Sequence, residues 1–428
     1  MVSIVVSKSS PVVVRPSSEP VTSTGKINLS AYDFYHVGMA TTAFLVFQHP
    51  IQKPAETIKW GLSRALVHYH PLSGRLLGGG GGGGEVHHIS CTGNGVLFVA
   101  ASANVAIEDA KLSEHDHQSL AATTTRPLLD HLAVYYPAAE AYRDSDPLVM
   151  MQVTEFSSGG FVVGVTWNHG VADGVGMGQF LQAVGELSRG LPSPSVPAVR
   201  LDDSLAVTSS NVGAVQQAYM SLQLTDNALL DFTVPSSLIG RIKDEFRRDS
   251  GGRTCTVFEA ISAVLWQCRT RAVISDPKAP TGLIFPANAR KYARAKDGYY
   301  GNCVTAQLVM AESGRVANGD LMELVRMIQG AKEQIPDKFS KRGSCNLEEI
   351  RALTGYDLLC VTCWRKLGFE CTDFGGGVPA RVMSHCQQVL ALPICQITST
   401  GKHGSCVMSG CVKDDHAHAF LAELARIN

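Results

Sequence analysis

Two side chains in one short stretch carry the chemistry on offer. His169 and Asp173 stand four residues apart in Phe161–Phe180, FVVGVTWNHGVADGVGMGQF. Histidine changes charge near neutral pH, so it can take a proton from a hydroxyl or an amine and hand it on. An aspartate at this spacing can orient the ring or hold the loop that carries it. The other familiar routes to group transfer lack their residues. There is no Gly-x-Ser-x-Gly elbow for a serine acyl-enzyme. There is no Gly-x-x-x-x-Gly-Lys-Ser/Thr loop for nucleotide hydrolysis.

The surrounding elements must place the pair. Phe161–Trp167 is apolar on both faces and too short for a helix, so it reads as a buried strand. Asn168, His169 and Gly170 end it. A glycine-rich turn follows, and helical spacing runs from Gln179 to a glycine stop at Gly190. A residue at a strand end projects past its sheet, where clefts form.

The segment Asn168-His169-Gly170-Val171-Ala172-Asp173-Gly174, with Gln179-Phe180-Leu181 after it, resembles the plant acyl-CoA-dependent acyltransferases called the BAHD family. Asp373-Phe374-Gly375-Gly376-Gly377 resembles the family's second motif, with Gly376 where a tryptophan is usual. Pro71-Leu72-Ser73-Gly74-Arg75 and Gly298-Tyr299-Tyr300-Gly301-Asn302 extend the likeness over essentially the whole chain.

The resemblance implies an α/β fold of two chloramphenicol-acetyltransferase-like domains with mixed sheets and a channel between them. The expected division is 1–197, a crossover linker 198–230, and 231–428, with a segment near 357–373 packing back on the first domain. It implies His169 as general base, Thr362 and Trp364 at the oxyanion, and Asp173 turned from the pocket toward Arg290. Asp373 is implied to be structural. A basic rim for CoA phosphates is expected at Arg253 and Lys291. The co-substrate would be an acyl-CoA, with no permanently bound cofactor. The flanks look closest to members that move benzoyl or hydroxycinnamoyl groups to an amine or alcohol in plant specialised metabolism. The competing class is a catalytically silent relative that binds ligands.

Composition agrees with a globular chain. The apolar share is 45% and the net charge is −1, which excludes the strongly basic character of nucleic-acid binders. No apolar run is long enough to span a bilayer. The N-terminal stretch has no basic lead, and Pro11 and Pro16 interrupt its apolar runs, so a cytosolic monomer is expected. The twelve cysteines are scattered within apolar segments, which suits buried thiols. Cys360-Val361-Thr362-Cys363 is a lone C-x-x-C without a second ligand pair, and no metal is expected.

Elsewhere the pattern predicts an edge strand near Val2–Val6. It also predicts a hairpin between Glu85–Ile89 and Gly95–Ala100, and another joining Leu148–Phe156 to the Phe161 strand. The glycine run Gly78–Gly84 is expected to form a surface loop.

Overall fold

The computed structural model describes residues 4–19, 25–34, 36–78, 88–112, 128–137, 142–200, 227–339, 355–385, 392–399 and 404–427. In chain order the strands are β1 (Val6–Lys8), β2 (Val12–Val14), β3 (Lys26–Asn28), β4 (Ala40–Phe47), β5 (Arg75–Leu77), β6 (His88–Ser90), β7 (Val96–Ala103), β8 (Val149–Phe156) and β9 (Phe161–Asn168). The second half adds β10 (Ala228–Pro235), β11 (Pro280–Asn288), β12 (Val304–Glu312), β13 (Leu358–Cys363), β14 (Arg381–His385), β15 (Ile394–Ser399) and β16 (Gly404–Val412). The longer helices are α1 (Pro54–His68), α2 (Gly174–Ser188), α3 (Ser236–Asp249), α4 (Val257–Val273), α5 (Leu321–Glu333) and α6 (Asp414–Ile427).

These strands form two mixed sheets flanked by helices. The first runs β1-β7-β8-β9-β4-β14, with β2 also on β7; the second runs β10-β16-β15-β13-β11-β12. Parallel pairs (β7 with β8, β13 with both β11 and β15) sit among antiparallel ones. A small sheet, β3-β6-β5, stands apart.

Every residue of β9 is buried, as its apolar run predicts. Val163, Val165 and Trp167 join the core under α1 and α2, whereas Val162 joins a second cluster with Leu129 and Leu132. Burying one such side chain is worth about 1.5–3 kcal/mol, so both faces hold the strand in register. In the second half, α4 starts with a capping box: Thr256 accepts from the Glu259 amide and Glu259 accepts from that of Thr256.

Three expectations need correction. The Gly95–Ala100 segment belongs to β7, which lies parallel to β8, while β6 pairs with β3 and β5; the proposed hairpin between them does not form. The edge strand falls at Val6–Lys8. The helix after the His-x-x-x-Asp turn begins at Gly174, well before Gln179. The hairpin joining β8 and β9 is present as predicted. Residues 79–84 of the glycine run and 201–226 of the linker lie outside the described residues.

The return to the first half is divided. Leu358–Cys363 is a central strand of the second sheet, residues 367–374 lie along α2, and β14 pairs with β4 at the edge of the first sheet. Arg381 on β14 ties the halves further, through the Leu112 carbonyl on one side and Asp231 on the other.

Candidate active site

Asn168 shapes the turn that follows β9. Its Oδ1 accepts from the Gly170 amide at 2.9 Å and the Gly38 amide at 3.3 Å. The His169 amide donates to the Met39 carbonyl at 2.7 Å, and Trp167 Nε1 donates to the Ala172 carbonyl at 3.0 Å. Asp173 then caps α2, accepting from the Gly176 amide at 2.9 Å.

The start of α2 is glycine-rich because the second half presses on it. A Cβ at Gly176 would stand 1.8 Å from the Tyr300 carbonyl oxygen, and one at Gly178 would stand 2.2 Å from that of Leu367. Tertiary contact here overrides the low helix propensity of glycine.

Asp173 and Arg290 form a bidentate pair, Nη1 to Oδ2 at 2.9 Å and Nη2 to Oδ1 at 2.8 Å. The Cys303 amide donates to Asp173 at 3.0 Å. Arg290 also donates to the carbonyls of Tyr299 at 3.0 Å and Gly301 at 2.9 Å. Burial works against the Arg290 charge, but the Asp173 carboxylate raises its pKa above the ordinary value. Both Asp173 oxygens are thereby committed to Arg290 and main-chain amides.

A second buried pair lies close by. Arg200 donates to Asp33 at 3.0 Å, and these side chains are 5% and 0% exposed. Asp33 also accepts from Ser30 and from the amide and side chain of Asn302, and Asn302 Nδ2 reaches the His169 carbonyl at 2.7 Å. The sequence reading missed this network. Ser30-Ala31-Tyr32-Asp33 carries a capping-box spacing that marks Asp33 as a local acceptor, but nothing in sequence points to Arg200.

His169 lines a cavity of about 460 Å³ whose walls come from both halves, with Thr362, Trp364, Cys360 and Cys363 across it. Burial lowers the His169 pKa, and Asp173 opposes the shift. His36, also missed, lies beside it with ring centroids 4.4 Å apart; burial and then the neighbouring His169 hold it well below the ordinary value. The Thr362 Oγ1 is buried and has no partner among the described residues. Trp364 stacks on Phe369 at 5.1 Å. Burial pushes the Cys360 thiol up to about 12 and raises Cys363 also. No group of His, Cys, Asp or Glu among the described residues can hold a metal ion.

The remaining predicted residues stand away from the cavity. Asp373 accepts from the Gly375 and Gly377 amides at 2.7 and 2.9 Å and pairs with Arg189 at the end of α2. Phe374 packs edge-on against Phe47 at 5.4 Å. At Gly376 a Cβ would lie 2.8 Å from Ile51 Cγ2, so that space is already filled. Arg253 pairs with Glu333 on the surface at 2.8 Å, and Lys291 is exposed; neither lines the cavity.

Comparison with known proteins gives the same picture. The sequence model described as Transferase family matches residues 4–409. Acyl transferase 15 of Oryza sativa subsp. japonica is 46% identical, with 99% of each chain covered. The myricetin 3-O-glucosyl 1,2-rhamnoside 6'-O-caffeoyltransferase AT1 of Crocosmia x crocosmiiflora is 32% identical over 99% of each. The 3'-N-debenzoyl-2'-deoxytaxol N-benzoyltransferase of Taxus canadensis is 31% identical over 89% of this chain and 85% of that protein. Vinorine synthase shares the fold, with a TM-score of 0.73 at 18% identity over 99% of this chain and 98% of that one. So does F. graminearum TRI101 complexed with coenzyme A and deoxynivalenol, with a TM-score of 0.65 at 16% identity over 92% and 96%. With the family's two motifs set on this fold and relatives named as acyl transferases along its full length, the chain belongs to the Transferase family of BAHD acyltransferases.

Proposed function

We propose that the protein transfers an aromatic acyl group, of benzoyl or hydroxycinnamoyl type, from its CoA thioester to an amine or alcohol in plant specialised metabolism. The observation that carries this reading is one cavity, lined by both halves, that has His169 on one wall and on another the Thr362 hydroxyl, which has no partner among the described residues. The caffeoyltransferase and N-benzoyltransferase names of its relatives support the acyl class.

Both substrates bind together and the transfer is direct. The neutral His169 takes the acceptor's proton as its oxygen or nitrogen attacks the thioester carbonyl. The oxyanion that forms is stabilised by Thr362, with Trp364 closing the wall behind it. Collapse breaks the carbon–sulfur bond, and the CoA thiolate leaves with the proton returned from His169. Asp173, Arg290 and Asp373 support the site without touching the reacting atoms. Arg253 and Lys291 are proposed to meet the CoA phosphates outside the cavity. Acyl-CoA is a co-substrate, no cofactor stays bound, and the protein works as a cytosolic monomer.

The test is CoA release and product mass with benzoyl- and hydroxycinnamoyl-CoA across amine and alcohol acceptors. Product that depends on His169 supports the reading. A folded protein that binds acyl-CoA yet releases no CoA with any acceptor would be a silent ligand binder.

A further inference from the structure

We infer that the acceptor enters uncharged, as a hydroxyl on a compact and mainly aromatic skeleton, and that cationic amines are rejected. This rests on the acyltransferase reading above and narrows its acceptor class.

The charge of the cavity wall comes first. Among the described lining residues Asp173 is the sole carboxylate, and its two oxygens are taken by Arg290 and the Gly176 and Cys303 amides. Among the described residues an ammonium entering here finds no acid to pair with, and an unpaired charge moved from water into such a space is strongly penalised. The two imidazoles in the wall, His36 and His169, are both held toward the neutral form by burial. The wall therefore neither attracts a cation nor demands an anion.

Indole faces can hold a cation where carboxylates are lacking. Trp167 is fully buried, and Trp364 has one face stacked on Phe369, which leaves only its other face to the cavity.

What the wall does offer is neutral hydrogen bonding. Thr41, Thr305, Asn288 and Thr362 lie among apolar side chains such as Ile284 and Leu392. A few neutral donors and acceptors in an apolar wall match a molecule with a few hydroxyl groups.

Size sets the second limit. Ligand sites commonly span about 300–1,000 Å³. This cavity, at about 460 Å³, has to hold the reacting acyl group and the acceptor together. That leaves room for one ring with a short arm. The matching class is an arylalkyl or arylalkenyl alcohol.

The experiment uses the full-length protein and shape-matched acceptors: cinnamyl alcohol, 3-phenylpropylamine and the diamine putrescine. Binding is read by calorimetry with CoA present, so it does not depend on turnover. Turnover is then read with benzoyl-CoA and p-coumaroyl-CoA. The alcohol is expected to bind at least tenfold more tightly than the matched amine, and putrescine to show no heat above buffer. Equal or tighter binding of either amine overturns the inference, and so does a higher kcat/KM for either. The predicted binding order without product from any pair leaves the inference standing and overturns the acyltransferase reading.

Discussion

Asn302 Nδ2 donates to the His169 carbonyl at 2.7 Å, and the amide of the next residue, Cys303, donates to Asp173 at 3.0 Å. One short segment of the second half thus holds both ends of the His-x-x-x-Asp turn. Replacing Asn302 with Ala leaves the His169 carbonyl without this donor and removes the side-chain bond to Asp33, while the backbone amide bond stays. A lost buried bond costs about 1–3 kcal/mol. The expected result is a kcat lowered about tenfold or more with KM for acyl-CoA little changed, read by steady-state kinetics. Asn302→Asp, which keeps the size but places a carboxylate against Asp33, should be worse.

His169→Ala should lower turnover by about two to four orders of magnitude, the usual range for a general base. Acyl-CoA binding, measured by calorimetry, should persist. Turnover near that of the native protein in a folded variant would remove His169 from the chemistry.

The Asp173–Arg290 pair is nearly closed to solvent, with side-chain exposures of 3% and 15%. Breaking one side strands the other charge, at about 3–5 kcal/mol. Asp173→Asn and Arg290→Ala should each lower the thermal midpoint and activity together. Chemical denaturation of the two variants should give similar losses, because each leaves one member of the same pair uncompensated. A variant that keeps full stability and loses only activity would assign Asp173 a direct part in catalysis.

His36 and His169 both have folded-state pKa values below the ordinary histidine value, burial being the larger cause in each. Well above about pH 6.5 both rings are neutral folded or unfolded and contribute no pH dependence. Below it the unfolded chain binds protons that the folded protein resists, so stability falls as pH falls toward the folded values. The thermal midpoint should decline on going from about pH 7 to pH 5.5, and His36→Asn should flatten that decline. Under the proposed mechanism, in which His169 is the base, the acid limb of kcat should lie below the ordinary histidine value.

Gly376 stands where the family carries a tryptophan, yet its surroundings are occupied: a Cβ would lie 2.8 Å from Ile51 Cγ2 and 3.2 Å from the His49 carbonyl oxygen. Gly376→Trp should therefore destabilise by about 1–3 kcal/mol, as overpacking does. A paired Ile51→Ala substitution should recover part of the loss in a denaturation experiment.

The strand and turn that carry His169 were legible because burial on both faces leaves an unbroken apolar run. The Asp173–Arg290 pair was accessible only through family likeness, since the two positions are far apart in sequence. The first turns of α2 were not legible: glycines at 174, 176 and 178 argue against a helix, and the contacts that permit one come from Tyr300 and Leu367. The parallel pairing of β7 with β8 left no local mark either, so Gly95–Ala100 reads in sequence as half of a hairpin. Asp33, Arg200 and Asn302 meet from three separate regions, and no spacing rule connects them.

The place of β14 has a consequence for how the protein is made. Residues 381–385 form the outer strand against β4, so the first sheet waits for nearly the entire polypeptide. While the ribosome is still adding the second half, β4 presents an open row of amides and carbonyls, the kind of edge that recruits stray strands. Closing that gap joins residues more than three hundred positions apart in sequence, a slow step in chain search. The same stitch that unites the finished halves therefore leaves this side of β4 unpaired in the nascent chain until residues 381–385 have been made.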